Sequence, residues 1–175
     1  MEGGHCSPFF CTLAHMKFTE LELNEQLLEA ISHMGFETAT PIQQLAIPKV
    51  LQNKDLIACA QTGTGKTAAF ILPILNKLTG KEDMSIDTLI IVPTRELAIQ
   101  VEESIKVYAK HTHLRSLVVY GGVDIKTQTP TLMKGVEILV ATPGRLLDHI
   151  EQRTLQLNQV QMLVLDEADR MLDMG

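Results

Sequence analysis

Eight consecutive residues, Ala60-Gln61-Thr62-Gly63-Thr64-Gly65-Lys66-Thr67, have the types and spacing that hold a polyphosphate. Glycines at 63 and 65 let the backbone wrap an anion, so that successive N–H groups point inward at it. Lys66 can reach the β- and γ-phosphates, and the Thr67 hydroxyl can ligate Mg²⁺. A helix expected over 68–78 would add the positive end of its dipole. A hundred residues on, Asp166-Glu167 closes an apolar run. There Asp166 would hold Mg²⁺ opposite Thr67, partly through water, and Glu167 would orient and deprotonate an attacking water. An acidic helix start that merely offsets the dipole is the plainer reading of Asp-Glu alone. The letters from Gly63 to Ala68 also fit the dinucleotide fingerprint G-x-G-x-x-A. That fingerprint wants an acid closing the second strand, and here the second strand ends Pro93-Thr94-Arg95.

These groups need elements to hold them. The run 56–59 predicts the strand that feeds the loop, with Cys59 in the core. Further apolar runs at 88–92, 116–120, 137–141 and 162–165 follow at the spacing of β-α units. They are nearly continuous rather than alternating, which predicts strands buried on both faces of a parallel sheet. Helices are expected between them, clearest over 96–110. Ahead of the loop, a helix over 24–34 is expected with Asn24 as N-cap, stopped by Gly35. A second helix opens on Pro41, directs Ile42, Leu45, Ala46 and Val50 inward, and should bend at Pro48. The fold class is α/β, a mostly parallel sheet with helices on both faces.

Ligands of open parallel sheets bind beyond the carboxyl ends of the strands. Each expected strand is followed there by a pointed cluster: the phosphate loop, Pro93-Thr94-Arg95, Gly121-Gly122, Thr142-Pro143-Gly144-Arg145, and Asp166-Glu167-Ala168-Asp169. All five should share one edge. Thr94-Arg95 and 142–145 each combine a hydroxyl, free N–H groups and a cation at a helix start, which suits a sugar–phosphate backbone. Simple capping by Thr142, with Pro143 at the first helical position, is the rival.

In this order the motifs resemble the N-terminal RecA-like domain of DEAD-box ATP-dependent RNA helicases, from residue 18 onward. Ala60 is the usual residue of that family where the general pattern has glycine. The resemblance implies a RecA-like P-loop NTPase domain over 17–175; residues 1–16 read as a poorly patterned leader, with Met1 or Met16 as the start. It implies RNA-stimulated ATP hydrolysis coupled to local duplex separation, with ATP and Mg²⁺. The nucleotide set is Phe18, Phe36, Gln43 and 60–67, with Lys66, Asp166 and Glu167 catalytic. Residues 35–43 resemble the adenine-recognising Q motif. The Gln43 amide can donate and accept at once, and so pairs with adenine but not guanine. Phe36 would stack on the base, with Phe18 bracing the segment. RNA backbone contacts fall to Pro93, Thr94, Arg95, Gly121, Gly122, Thr142, Pro143, Gly144 and Arg145, and interdomain coupling to Asp169. The resemblance also expects a further strand between the loop strand and the Asp166 strand, and a second RecA-like domain. Neither is in the 175 residues, so the domain is expected to be incomplete at its C-terminus and nearly inactive alone.

Composition narrows the alternatives. A net charge of −6 excludes a broad basic nucleic-acid surface, so any RNA site must be small and local. Three cysteines without a C-x-x-C pair give neither a disulfide framework nor a zinc site, and suggest a reducing, cytoplasmic setting. No apolar run approaches membrane-spanning length. His33, His111, His113 and His149 show no ligand spacing and are read as surface positions. Met171 and Met174 are expected to pack in a last helix. A stand-alone P-loop nucleotidase or kinase would need a second acceptor site and an arginine-rich lid, which the sequence lacks. A non-catalytic RNA-binding fragment is the third alternative.

Overall fold

In the computed structural model, residues 16–61, 63–81 and 84–173 are described. Thr62, Met174 and the leader through 15, including Cys6 and Cys11, lie outside them. The order of elements is a 3₁₀ turn Phe18–Glu20, α1 Glu25–His33, α2 Pro41–Leu51, α3 Lys66–Leu78, β1 Thr88–Ile91, α4 Arg95–Tyr108, β2 Ser116–Val119, α5 Ile125–Met133, β3 Ile138–Ala141, α6 Pro143–Glu151, β4 Met162–Leu165 and α7 Ala168–Asp173. The four strands form one wholly parallel sheet in the order β2-β3-β1-β4.

Alternation along the strands divides the core between the two faces. Ile90, Ile138 and Val140 pack with Leu27 and Ile31 of α1, Leu72 and Leu75 of α3, and Val101 and Ile105 of α4. Leu89, Leu139 and Ala141 face the other way, against Leu132 of α5 and Leu146 of α6. The result is a three-layered sandwich, as expected from the continuous apolar runs.

Local signals place the helix ends. Asn24 Oδ1 accepts from the Leu27 N–H at 3.0 Å, the expected cap of α1, and Gly35 follows it with φ 77°. Pro41 opens α2, which continues through Pro48 to Leu51. Of the positions expected to point inward there, Ala46 is buried but Leu45 is exposed, and the fully buried side chain is Ile47.

Two expectations fail at one place. Residues 56–59 form no strand; Ile57 is 95% exposed, and Cys59 is exposed rather than in the core. Nor is β4 buried on both faces, since Leu163 and Leu165 are 60% and 53% exposed. The two failures share a cause. A strand needs a hydrogen-bonded neighbour, and between 56–58 and β4 lies a groove of about 340 Å³, lined by Leu56, Ala58, Ile42, Phe70, Met162 and Val164 among others. Without a partner the apolar run stays extended and open, and β4 becomes a bare edge. The groove lies where the resemblance expects a further strand.

Candidate nucleotide and backbone site

Backbone pairing carries the post-strand clusters onto one edge. Beyond the named strands, Asp166 N donates to Ile91 O at 3.0 Å, Val92 N to Ala141 O at 3.0 Å, and Thr142 N to Val119 O at 3.1 Å. Asp166, Pro93 and Thr142 therefore leave the sheet side by side.

At one end of this edge a cleft of about 390 Å³ is lined by Gly63, Gly65, Lys66, Thr67, Leu97, Gln100, Asp166 and Glu167. Gly63 and Gly65 have φ of 80° and 88°, which side chains with a Cβ rarely adopt, and α3 begins immediately after them. The turn is closed by Thr64 Oγ1 donating to Gln61 O at 2.7 Å. A glycine turn, a helix N-terminus, a lysine, a hydroxyl and two carboxylates thus surround one space. Burial, set partly against the Lys66 ammonium, raises the Asp166 carboxyl above its ordinary value. Glu167 has φ 52°, a strained value for a residue with a Cβ, and its Oε2 accepts from Arg170 Nη1 at 2.7 Å. Asp169 is exposed, and Ala60 is partly buried beside the loop.

Gln43 does not stand open to solvent. It is 5% exposed, its Oε1 accepts from Thr40 N at 2.9 Å, and its Nε2 donates to Gly65 O at 3.2 Å. A Cβ on residue 65 would collide with that same Nε2. Thr40 Oγ1, next to it, is buried without a hydrogen-bond partner. Phe36 is 53% exposed, while Phe18 is a core residue at 6%. The Phe18 N–H donates to Glu37 O at 3.2 Å, which ties the 3₁₀ turn to the segment carrying Phe36.

Along the rest of the edge the polar groups separate into exposed and structural ones. Arg95 is exposed, and its guanidinium lies 4.6 Å over the ring of Tyr120. Gly121, Gly122, Pro143 and Gly144 are exposed, and the Thr142 side chain makes no capping hydrogen bond, so the capping rival is not the use of that hydroxyl. Thr94 does cap, accepting from Leu97 N at 3.3 Å, and Pro93 is buried.

Arg145 departs from its expected role as an open cation. It is 8% exposed and donates to Val123 O at 2.8 Å, Gln128 Oε1 at 3.1 Å and Asp148 Oδ2 at 3.2 Å. Gln128 in turn donates to Tyr120 O at 3.1 Å. Arg145 and Gln128 therefore hold the glycine turn 120–123 in place. Gln128 carries no motif, and nothing in its neighbours' letters announces this use.

A further correction concerns His149. His149 is completely buried, with Nδ1 2.7 Å from Thr154 Oγ1, because α6 presents it with Arg145 on its inner face. His33 and His111 do lie at the surface, as expected, and their ring nitrogens are 3.3 Å apart, with Glu29 beside them.

The DEAD/DEAH box helicase family model matches residues 40–175. The chain belongs to that family. It is 55% identical to the ATP-dependent RNA helicase CshA of Listeria monocytogenes over 159 residues, 91% of this chain and 30% of that protein. It is 54% identical over 160 residues to CshA of Limosilactobacillus reuteri, covering 91% of this chain and 32% of that one. Against CshA of Bacillus subtilis the figure is 51% over 158 residues, with 90% and 32% covered. The chain spans about a third of the length of the curated relatives it matches. The parallel sheet with helices on both faces is the RecA-like architecture expected of a DEAD/DEAH box domain. No helix among the described residues is long and apolar enough to cross a membrane.

Proposed function

We propose that this chain is the ATP-binding half of a cytoplasmic RNA helicase, in which ATP hydrolysis is coupled to RNA binding along the same sheet edge. The observation that carries the reading is the single cleft shared by Gly63, Gly65, Lys66, Thr67, Asp166 and Glu167. Loop amides and the α3 N-terminus would receive the β-phosphate, and Lys66 the γ-phosphate. Thr67 and Asp166 supply a hydroxyl and a carboxylate for Mg²⁺, whose chemistry is to neutralise charge on the phosphate oxygens. Glu167, held by Arg170, would orient the attacking water and take its proton.

Adenine selection is consistent with the way Gln43 is anchored. An amide offers two N–H donors and two lone pairs, and Thr40 and Gly65 use one of each. One donor and one acceptor remain, fixed in plane, which is the pattern adenine complements. Phe36, exposed nearby in sequence, is available to stack on the base. For RNA, Arg95, the Gly121-Gly122 turn, the Thr142 hydroxyl and the amides of 143–144 offer backbone contacts and no base-edge readers, so little sequence preference is expected. Few cations are required, which reconciles RNA with a net charge of −6. A second RecA-like domain would supply the rest of both sites, and Asp169, exposed at the edge, would couple to it.

Thermal unfolding of this chain with Mg-ADP, then with Mg-GDP, tests the nucleotide half of the proposal. At a hundred-fold excess over Kd, ADP should raise the midpoint by roughly 5–10 °C and GDP by much less. Lys66→Ala should remove most of the ADP shift. Gln43→Ala should erase the preference for ADP over GDP. Equal shifts by the two nucleotides in the unmutated chain would instead indicate a general P-loop nucleotidase.

A further inference from the structure

The cluster of Glu29, His33 and His111 lies away from the nucleotide cleft and is not used by it. Glu29 and His33 are four residues apart on α1 and so share a face. His111 follows the end of α4 in a turn closed by Thr112 N and Thr112 Oγ1, which both donate to Ala109 O at 2.8 Å. The two elements are fixed to each other from beneath, since Leu27 and Ile31 of α1 share a core with Ile105 and Ala109.

The two imidazoles are in hydrogen-bond contact, at a spacing that metal-bound imidazoles also have. His111 Nε2 and His33 Nδ1 are 3.3 Å apart, with the rings edge-on at 61°. Two imidazole nitrogens on a tetrahedral zinc, each at its usual bond length, stand about 3.3–3.4 Å apart. One carboxylate oxygen of Glu29 lies within 4.8 Å of both nitrogens. Glu29 is exposed, so a rotamer change brings that oxygen to ligand distance at little cost. Two imidazoles and one carboxylate form a borderline donor set, which suits Zn²⁺ and its transition-metal neighbours and not Mg²⁺ or Ca²⁺. A fourth position remains for water.

We propose that Glu29, His33 and His111 form a site for a divalent transition-metal cation, Zn²⁺ foremost, that ties the last turn of α1 to the segment after α4. The site is remote from the chemistry. α4 starts in the cleft, where Leu97 and Gln100 line it, and runs 14 residues to Tyr108, about 20 Å toward the opposite edge of the sheet. The role is therefore structural. By fixing the end of α1, the metal would steady Gly35 and Phe36, which follow directly.

The plain alternative is one imidazole N–H donating to the other nitrogen, and titration separates the two. Chelator-treated chain would be titrated with ZnCl2 by calorimetry in MgCl2-containing buffer, alongside His33→Ala, His111→Ala and Glu29→Gln. One Zn²⁺ per chain is expected, with a roughly 5–10 °C rise in the unfolding midpoint at saturating metal. Either histidine variant should weaken binding about ten-fold or more, and Glu29→Gln less. Unchanged zinc affinity in both histidine variants would overturn the proposal and direct attention to the cysteines. So would the absence of binding at micromolar zinc. Should a histidine variant fail to fold, Co²⁺ absorption of the unmutated chain decides. An intense visible band of tetrahedral nitrogen–oxygen ligation supports the site, and a thiolate charge-transfer band or no band refutes it.

Discussion

Asp166 is a half-buried carboxylate held at the end of β4, one hydrogen bond from the β1 backbone. Its carboxyl is raised, first by burial, so the folded protein holds this proton more tightly than the unfolded chain does. The usual sign for an acid is thereby reversed. Stability is fully present below the ordinary value of 3.8 and falls as pH rises through the window up to the folded value. At neutral pH without nucleotide, the ionised Asp166 costs stability, and Asp166→Asn should raise the unfolding midpoint. The same variant should lose the magnesium-dependent part of the ADP shift. A lower midpoint without nucleotide would contradict the stated origin of the shift. This residue, like Lys66 and Thr67, was legible in the sequence, because an acid ending an apolar run can only emerge at the carboxyl edge. Arg145 was not. Its letters report a cation at a helix start, and only packing against Val123 and Gln128 turns it inward.

α6 illustrates how one helix face serves both stability and the proposed RNA edge. Arg145 and His149 share its buried side and meet at Gln128, which holds the glycine turn. Burial and the neighbouring Arg145 charge lower the His149 pKa, against the opposing pull of Asp148. The unfolded chain therefore takes up the proton first. Stability is complete above about pH 6.5 and declines as pH falls through the window below it. His149→Gln, which can still bond Thr154, should flatten that part of the stability–pH curve, as followed by chemical denaturation from pH 7.5 to 5.5. At this scale most elements were legible. Caps and periodicity located α1, α2 and α4 to within a few residues, and four apolar runs became the four strands. The run at 56–59 has equal strand character but pairs with nothing, since pairing is a property of the neighbour and not of the run.

For the whole molecule, the bare β4 edge is an exposed apolar feature. Leu163 and Leu165 project from the sheet where no helix covers them, beside unpaired backbone groups and an apolar groove. Exposed apolar edges recruit further strands, including those of other copies. A net charge of −6 opposes this only weakly at physiological salt. The chain should therefore self-associate with rising concentration in sedimentation velocity. Leu163→Lys combined with Leu165→Lys should hold it monomeric and change stability by no more than about 1 kcal/mol. A monomer that is indifferent to both substitutions would show the edge to be harmless. The groove was not legible in the local run of residues, but the resemblance, which places a further strand beside the Asp166 strand, implied a gap or an unpaired edge there. The His33–His111 pair was not legible locally either, its members being 78 residues apart in the chain.

The contact between Gln43 and Gly65 has a consequence for how such a pocket can change over generations. Two independent barriers keep residue 65 a glycine: its φ of 88° and the amide that fills the place of a Cβ. Shortening Gln43 lifts the second barrier and leaves the first, so no single compensating change opens position 65 to variation. Variation at this contact must then enter through residue 43 and its neighbours, while residue 65 stays glycine.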